Sequence, residues 1–310
     1  MEFDWLQQNI KLLIGVKKEP PEFIGYKVLN IETKDGYEQQ LIEYYNDGNR
    51  IPAYLLIPEC RQHCPAVLIH HQHNGERHLG KSEICGLAGN PLQAFGPALA
   101  QRGLVVLSPD SICFEDRRTG ATGIRPLDND GDFIQHYNEM CYQIIKGDTL
   151  QRTVLSDAMA GISVLQGLAF VDSNRVGTLG HSYGGNTVLF HMAIDKRISF
   201  GCASGSACTY KNRMDHNVGI EMASVISGFN EQYDIDDLVK CISPRELLLV
   251  SANDDKYSQD AEDIYQKVKP IYEYHNAGNQ LQHKRYDGGH AMTKERFIYI
   301  VNWFSHHINS

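Results

Sequence analysis

The residues whose types and spacing could do chemistry gather around one serine. Gly180-His181-Ser182-Tyr183-Gly184 reads G-x-S-x-G, and Gly185 extends it. At ordinary glycine and serine usage such a match arises by accident in about one chain in ten of this length, so the match alone decides nothing. Its setting decides more. The apolar run RVGTLG (175–180) leads in and the helical stretch GGNTVLFHMAI (184–194) leads out, the strand, turn and helix that present a serine hydroxyl at a sharp corner. Flanking glycines let the backbone turn there without side-chain collision. A serine hydroxyl is a weak nucleophile near neutrality and needs a base, which an acid must orient.

Base and acid are expected downstream, in the order serine, acid, histidine. His290, within Asp287-Gly288-Gly289-His290-Ala291, follows the last strand-like run and precedes a helix over 294–304. His275 ends a helix, His283 begins a strand, and His306 and His307 lie in the C-terminal helix, so these fit less well. For the acid, the strand ELLLVSA (246–252) ends in Asn253-Asp254-Asp255-Lys256. Asp255 is preferred to Asp254 because the acid commonly stands a few residues past its strand, and Asp287 reads as a turn residue. Ser182, Asp255 and His290 together would perform acyl transfer through an acyl-enzyme. The tetrahedral intermediate needs two donors. One is the backbone N–H of Tyr183; the other falls at Gln72 or His73, in the loop His71-Gln72-His73-Asn74-Gly75 after the strand AVLIH (66–70).

Cys60 and Cys64, with His70, His71 and His73 close behind, invite a zinc reading. Their spacing is irregular, alternate strand residues face opposite ways, and no second cysteine pair completes a site. No metal and no organic cofactor is expected. The eight cysteines, scattered through a mid-sized chain, are expected to be free thiols.

The elements that must position these residues follow from hydrophobic rhythm. Residues 1–20 read as an amphipathic helix ending at Pro20-Pro21, giving an N-terminal helical arm over 1–25 and a catalytic domain over 26–310. From Tyr26 to Ile57 the pattern alternates, with turn residues at Lys34-Asp35-Gly36 and Asn46-Asp47-Gly48, as in antiparallel strands at a sheet edge. Beyond that, short runs apolar throughout alternate with helical stretches, as a parallel sheet covered on both faces requires. The expected fold is α/β, a mainly parallel eight-stranded sheet flanked by helices. Two polar segments, 113–147 and 210–237, fit no strand and are too long for ordinary connections, so they read as small lid-like insertions.

Composition narrows the rest. A chain of 310 residues can bury a large core in one domain, and 42% hydrophobic with 22% charged residues is ordinary for a water-soluble protein. A net charge of -9 opposes binding to nucleic acid or anionic lipid. No apolar run is long enough to span a bilayer, and the start MEFDWLQQNIKLLIGVKKEPPEF lacks the regions of a signal peptide. A cytoplasmic enzyme acting on a small-molecule ester, with no nucleic-acid or membrane partner, is the expectation; the oligomeric state is open, a homo-oligomer included.

With these residues in place, the sequence resembles the α/β-hydrolase superfamily, in its dienelactone hydrolase and acetyl xylan esterase-like branch. The resemblance rests on PAVLIHHQHNGER, LAQRGLVVLSPDSICFEDRR, SNRVGTLGHSYGG, SPRELLLVSANDDKYS and YDGGH, in the family's order over most of residues 50–308. Similar layouts occur in prolyl oligopeptidase-like peptidases and acyl thioesterases. The resemblance implies a serine hydrolase of small carboxylic esters, acetylated carbohydrates among them. Two departures stand out. Dienelactone hydrolases proper use a cysteine where this chain has Ser182, which favours ordinary ester chemistry. The family's PDxxxFGxR segment has Glu115-Asp116 where Gly-Glu is usual, so Arg117 and Arg118 are read as ion-pair residues fixing the loop. A peptidase of the same superfamily is the alternative enzyme, and a non-catalytic binding module on the same fold the alternative of another class.

Overall fold

The computed structural model describes residues 2–59 and 62–308. Cys60, weighed above as a zinc ligand, lies outside the described residues, as do Met1 of the arm and the last two positions of the domain. The chain starts with α1 (Glu2–Ile14) and then forms three antiparallel strands, β1 (Tyr26–Lys34), β2 (Tyr37–Asn46) and β3 (Asn49–Pro58). Next come β4 (Cys64–His70), α2 (Phe95–Ala100), β5 (Val105–Pro109), α3 (Asn129–Ile145), α4 (Leu150–Gln166), β6 (Val171–His181) and α5 (Tyr183–Ile194). The series closes with β7 (Phe200–Ser204), α6 (Ile235–Ile242), β8 (Glu246–Ala252), α7 (Ala261–Tyr274), β9 (Leu281–Tyr286) and α8 (Lys294–Ser305).

One sheet holds them in the order β1-β2-β3-β5-β4-β6-β7-β8-β9. It has nine strands, not eight. The alternating segment from Tyr26 folds as three strands, because the turns at Asp35-Gly36 and Asp47-Gly48 each close a hairpin, with Gly36 and Gly48 at positive φ. From β4 onward every pairing except β3 with β5 is parallel.

The apolar runs are continuous because both faces are covered. In β4, Ala66 and Leu68 enter the core shared with α1, α4, α5, α6 and α7, while Val67 and Ile69 face the core shared with α2 and α8. Strand β8 divides the same way, Leu247 and Leu249 against Leu248 and Val250. Alternation survives in direction even where polarity does not alternate.

One boundary departs from the sequence reading. The N-terminal helix stops at Ile14 rather than at Pro20, because Gly15 takes φ +95 and the amides of Gly15 and Val16 turn back onto the carbonyl of Lys11. That closure is the glycine-dependent way a helix end satisfies its last carbonyls. Ile10 and Ile14 are buried, the Gln7 side-chain amide donates to the Ala193 carbonyl (2.6 Å) and the Thr149 hydroxyl to that of Ile14 (2.6 Å). The arm is thus part of the packed body. The segment 113–147 contains the 17-residue α3, and 210–237 holds short helical turns and the start of α6.

Among the described residues Cys85, Cys113, Cys141, Cys202, Cys208 and Cys241 carry free thiols. Among the described residues no helix is long and apolar enough to cross a membrane.

Candidate active site

Parallel strands deliver their following loops to one edge of the sheet, so the turns after β4, β6, β8 and β9 open together. The turn after β6 is the tightest. Ser182 sits between strand and helix at φ 58, ψ -119, a backbone state costly for any side chain and held only by its surroundings, at about 1–3 kcal/mol. What holds it is close backbone packing. A Cβ at position 180 would strike the backbone of Gly184, and one at 184 would strike the His70 carbonyl. The Ser182 amide also donates to the Ser204 carbonyl at 2.8 Å, tying the turn to β7.

The three residues singled out from sequence meet at this turn. His290 Nε2 lies 2.7 Å from the Ser182 hydroxyl, and His290 Nδ1 lies 2.9 Å from Asp255 Oδ1. Asp255 is buried and fully engaged: Oδ1 also accepts the Tyr257 amide (3.0 Å) and Oδ2 the Ser258 hydroxyl (2.8 Å). Burial alone would raise its pKa, but His290 first, then Ser258 and Tyr257, hold it below the usual carboxylate range. An ionised acid is therefore fixed behind the imidazole. Asp254 makes no such contact; its amide donates to the Gly288 carbonyl at 3.0 Å, joining the loops after β8 and β9. Asp287 accepts the Asn253 side-chain amide (2.7 Å), a turn-bracing contact away from His290.

The amide of Tyr183 opens α5, where the first-turn donors of a helix have no intrahelical partner. Its side chain is buried, with the hydroxyl 2.8 Å from that of Ser111. Facing it across the turn is the loop after β4. His71 is buried there, its Nδ1 2.7 Å from the Gln72 carbonyl and its Nε2 accepting the Ser111 amide (3.1 Å). Burial pushes the His71 pKa down to about 4, so the ring is a neutral brace. The Gln72 side chain turns away to Glu83 (3.1 Å). The imidazole of His73 instead stands beside the rings of Tyr183 and Phe114, with centroids 6.3 Å away in both cases.

Several residues of the site carry no signal strong enough to be found in advance. His181, the variable position before the serine, is buried and stacks on His290 with centroids 5.0 Å apart and planes 27° apart. Its Nδ1 lies 3.0 Å from the Ser204 hydroxyl, and burial, with the neighbouring His290, lowers its pKa to about 3. Gly205, at φ +61, makes room: a Cβ there would come 2.8 Å from His181 and 3.2 Å from His290. Tyr257 meets His290 edge-on at 4.8 Å. The imidazole is thus bordered by two fixed rings. Only the place of His181 inside the motif, and of Tyr257 two residues past Asp255, could have marked them.

Below the site, Arg117 and Arg118 are structural. Arg117 binds the Asp157 carboxylate and the Asp110 carbonyl, and Arg118 binds Asp132 and the carbonyls of Glu115, Gly123 and Pro126. The carboxylates of Asp110, Glu115 and Asp116 lie close enough together to hold a cation. The Lys81 ammonium is that cation, at 2.8, 2.5 and 2.6 Å respectively.

The class these features define is the α/β-hydrolase fold with a serine, histidine and aspartate at its strand ends. A Bacteroides fragilis NCTC 9343 protein designated an acetyl xylan esterase superposes with a TM-score of 0.73 and 16% identity, covering 92% of this chain and 74% of that one. A glucuronoyl esterase from Solibacter usitatus superposes with a TM-score of 0.69 and 14% identity, covering 98% and 92%. At such identities the likeness is one of fold. YtaP of Bacillus subtilis (strain 168), a hydrolase by name only, is 25% identical over 300 residues, 93% of each chain. The model of the prolyl oligopeptidase family matches residues 134–309, and the chain belongs to that family.

Proposed function

We propose that this chain is a serine esterase that cleaves small carboxylic esters, acetylated carbohydrates among them. The observation that carries the reading is the unbroken relay from the Ser182 hydroxyl through His290 to Asp255, at 2.7 and 2.9 Å. In the first step Ser182 attacks the ester carbonyl while His290 Nε2 takes its proton, and the buried Asp255 carboxylate stabilises the imidazolium. The oxyanion is met by the Tyr183 amide and by an amide at Gln72 or His73. His290 returns the proton to the departing alcohol; water, deprotonated by the same imidazole, then releases the acid and frees Ser182. The segments 113–147 and 210–237 are proposed to shape the acyl and alcohol pockets. Six free thiols among the described residues favour a reducing, cytoplasmic setting.

Ester substrates are favoured over peptides by the solved structures that share the fold, whose designations are esterases. The family match keeps a second reading alive, a serine peptidase taking short peptides. Hydrolysis of p-nitrophenyl acetate, butyrate and octanoate, beside an aminopeptidase substrate, separates the two. Ester turnover that falls by at least about 10³-fold in Ser182→Ala is expected. Equal turnover in the variant, or turnover of the peptide alone, overturns the proposal.

A further inference from the structure

Beside the relay stands an acid that the proposed reaction does not use. Glu221 has 17% of its side-chain surface exposed, and its Oε2 lies 3.4 Å from Nε2 of His73. The neighbouring loop fixes the sense of that contact. The Gly75 amide donates to His73 Nδ1 at 3.0 Å, so a neutral His73 carries its proton on Nε2, the nitrogen that lies between Glu221 at 3.4 Å and Arg77 Nη2 at 3.3 Å. His73 belongs to the loop that faces the Ser182 turn, and its ring borders Tyr183. Glu221 therefore stands with His73 on the wall of the site that this loop forms.

The charges around it limit what it can bind. Arg77 approaches His73 at 3.3 Å and donates to His136 at 3.0 Å, while Arg213 donates to the carbonyls of Cys208, Ser206, Gly219 and Tyr257 and to the side-chain oxygen of Asn186. Neither guanidinium has a carboxylate ion pair among the described residues, and both are buried. Two guanidinium groups against one carboxylate leave the wall with a positive balance, which disfavours a cationic ligand. The carboxylate nevertheless offers lone pairs that His73 does not fill. Neutral O–H donors suit both conditions.

We infer that Glu221, held by His73, is a specificity-determining residue that accepts hydrogen bonds from free hydroxyls of a polyol leaving group. The inference rests on the esterase reading and narrows it to esters of polyhydroxylated alcohols such as sugars. A site built to bind a substrate hydroxyl discriminates strongly against an analogue that lacks it, because its buried acceptor is then unmet.

The test compares two acetates of similar ring size and leaving-group class, an O-acetylated methyl pentoside and cyclohexyl acetate, in wild type, Glu221→Leu and Glu221→Gln. Wild type is expected to prefer the pentoside. Glu221→Leu should lose about 10- to 100-fold in kcat/KM on the pentoside, the range for one hydrogen bond to a charged group. It should change little on cyclohexyl acetate, and Glu221→Gln, which keeps an acceptor oxygen, should recover part of the loss. Equal losses on both esters, or equal wild-type efficiency on both, overturn the inference and leave the esterase reading standing. If wild type cleaves neither of these esters nor p-nitrophenyl acetate, the esterase reading fails and the inference with it. Should the variants not fold, the wild type still decides: free methyl pentoside should inhibit p-nitrophenyl acetate hydrolysis at concentrations where cyclohexanol does not, and equal inhibition counts against Glu221.

Discussion

At the scale of single residues, the adjacent aspartates differ in geometry that a sequence cannot display. Asp255 accepts three hydrogen bonds and faces His290, whereas Asp254 contributes only its backbone amide to the loop contact with Gly288. Asp255→Asn keeps the shape but presents either an N–H toward an imidazole that needs an acceptor or an oxygen without charge. A fall in kcat of about 10⁴ is expected. Asp254→Asn should change kcat less than about threefold, because its side chain lies outside the relay. Steady-state ester kinetics on the two variants check this, and a larger loss in Asp254→Asn would reverse the assignment. The same scale explains His181 beside Ser182. Deeply buried and neutral, it gives His290 a flat neighbour without a competing positive charge.

At the scale of elements, the loop after β5 depends on one buried ammonium. Lys81 is 1% exposed and binds Asp110, Glu115 and Asp116 at once. Burial works against its charge, but Asp110 and Glu115, then Asp116, raise its pKa above the ordinary lysine value. Burial also lifts Asp110 to about 7. Lys81→Met leaves three carboxylates without a cation, which should cost about 3–5 kcal/mol. Without the ammonium, the folded carboxylates bind protons more readily than the unfolded ones, so the variant's deficit should grow as pH rises. Urea unfolding at pH 5 and pH 8 measures it, and a deficit unchanged or smaller at pH 8 would contradict the account. How much of this scale the sequence displayed depends on the range of the forces involved. The apolar runs that became β4, β6 and β8, the strained turn at Ser182 and the order of acid and base were legible, because each follows from local pattern. Both hairpin turns were legible too, and only the total of eight strands fell one short of the nine in the sheet. Lys81, His181 and Glu221 were not legible, because their partners lie tens of residues away and no periodicity announces such contacts.

At the scale of the whole molecule, the fold stores many neutral imidazoles, and this sets its response to acid. His71, His136 and His181 are all buried, and burial as the main cause lowers their pKa values to about 4, 3 and 3. His70 is driven down in the same way, with His191 and His71 adding to the effect. In the unfolded chain each would titrate near 6.5. Between that pH and about 4 the unfolded state therefore binds more protons than the folded state, and stability must fall as pH falls. Each fully buried imidazole contributes about 1.4 kcal/mol per pH unit over this window, so three contribute about 4 kcal/mol per unit. Asp110, Glu83 and Glu221, whose pKa values are raised by burial, act in the opposite sense and offset part of the slope. Domains are commonly stable by about 5–15 kcal/mol, so even half the histidine slope would bring unfolding within reach near pH 4–5. Urea midpoints at pH 7, 6 and 5 should fall steadily, and His136→Phe, which removes one titrating group from the core, should flatten the decline. Midpoints that stay level from pH 7 to 5 would mean that these imidazoles gain protons in the folded state, contrary to the burial that surrounds them.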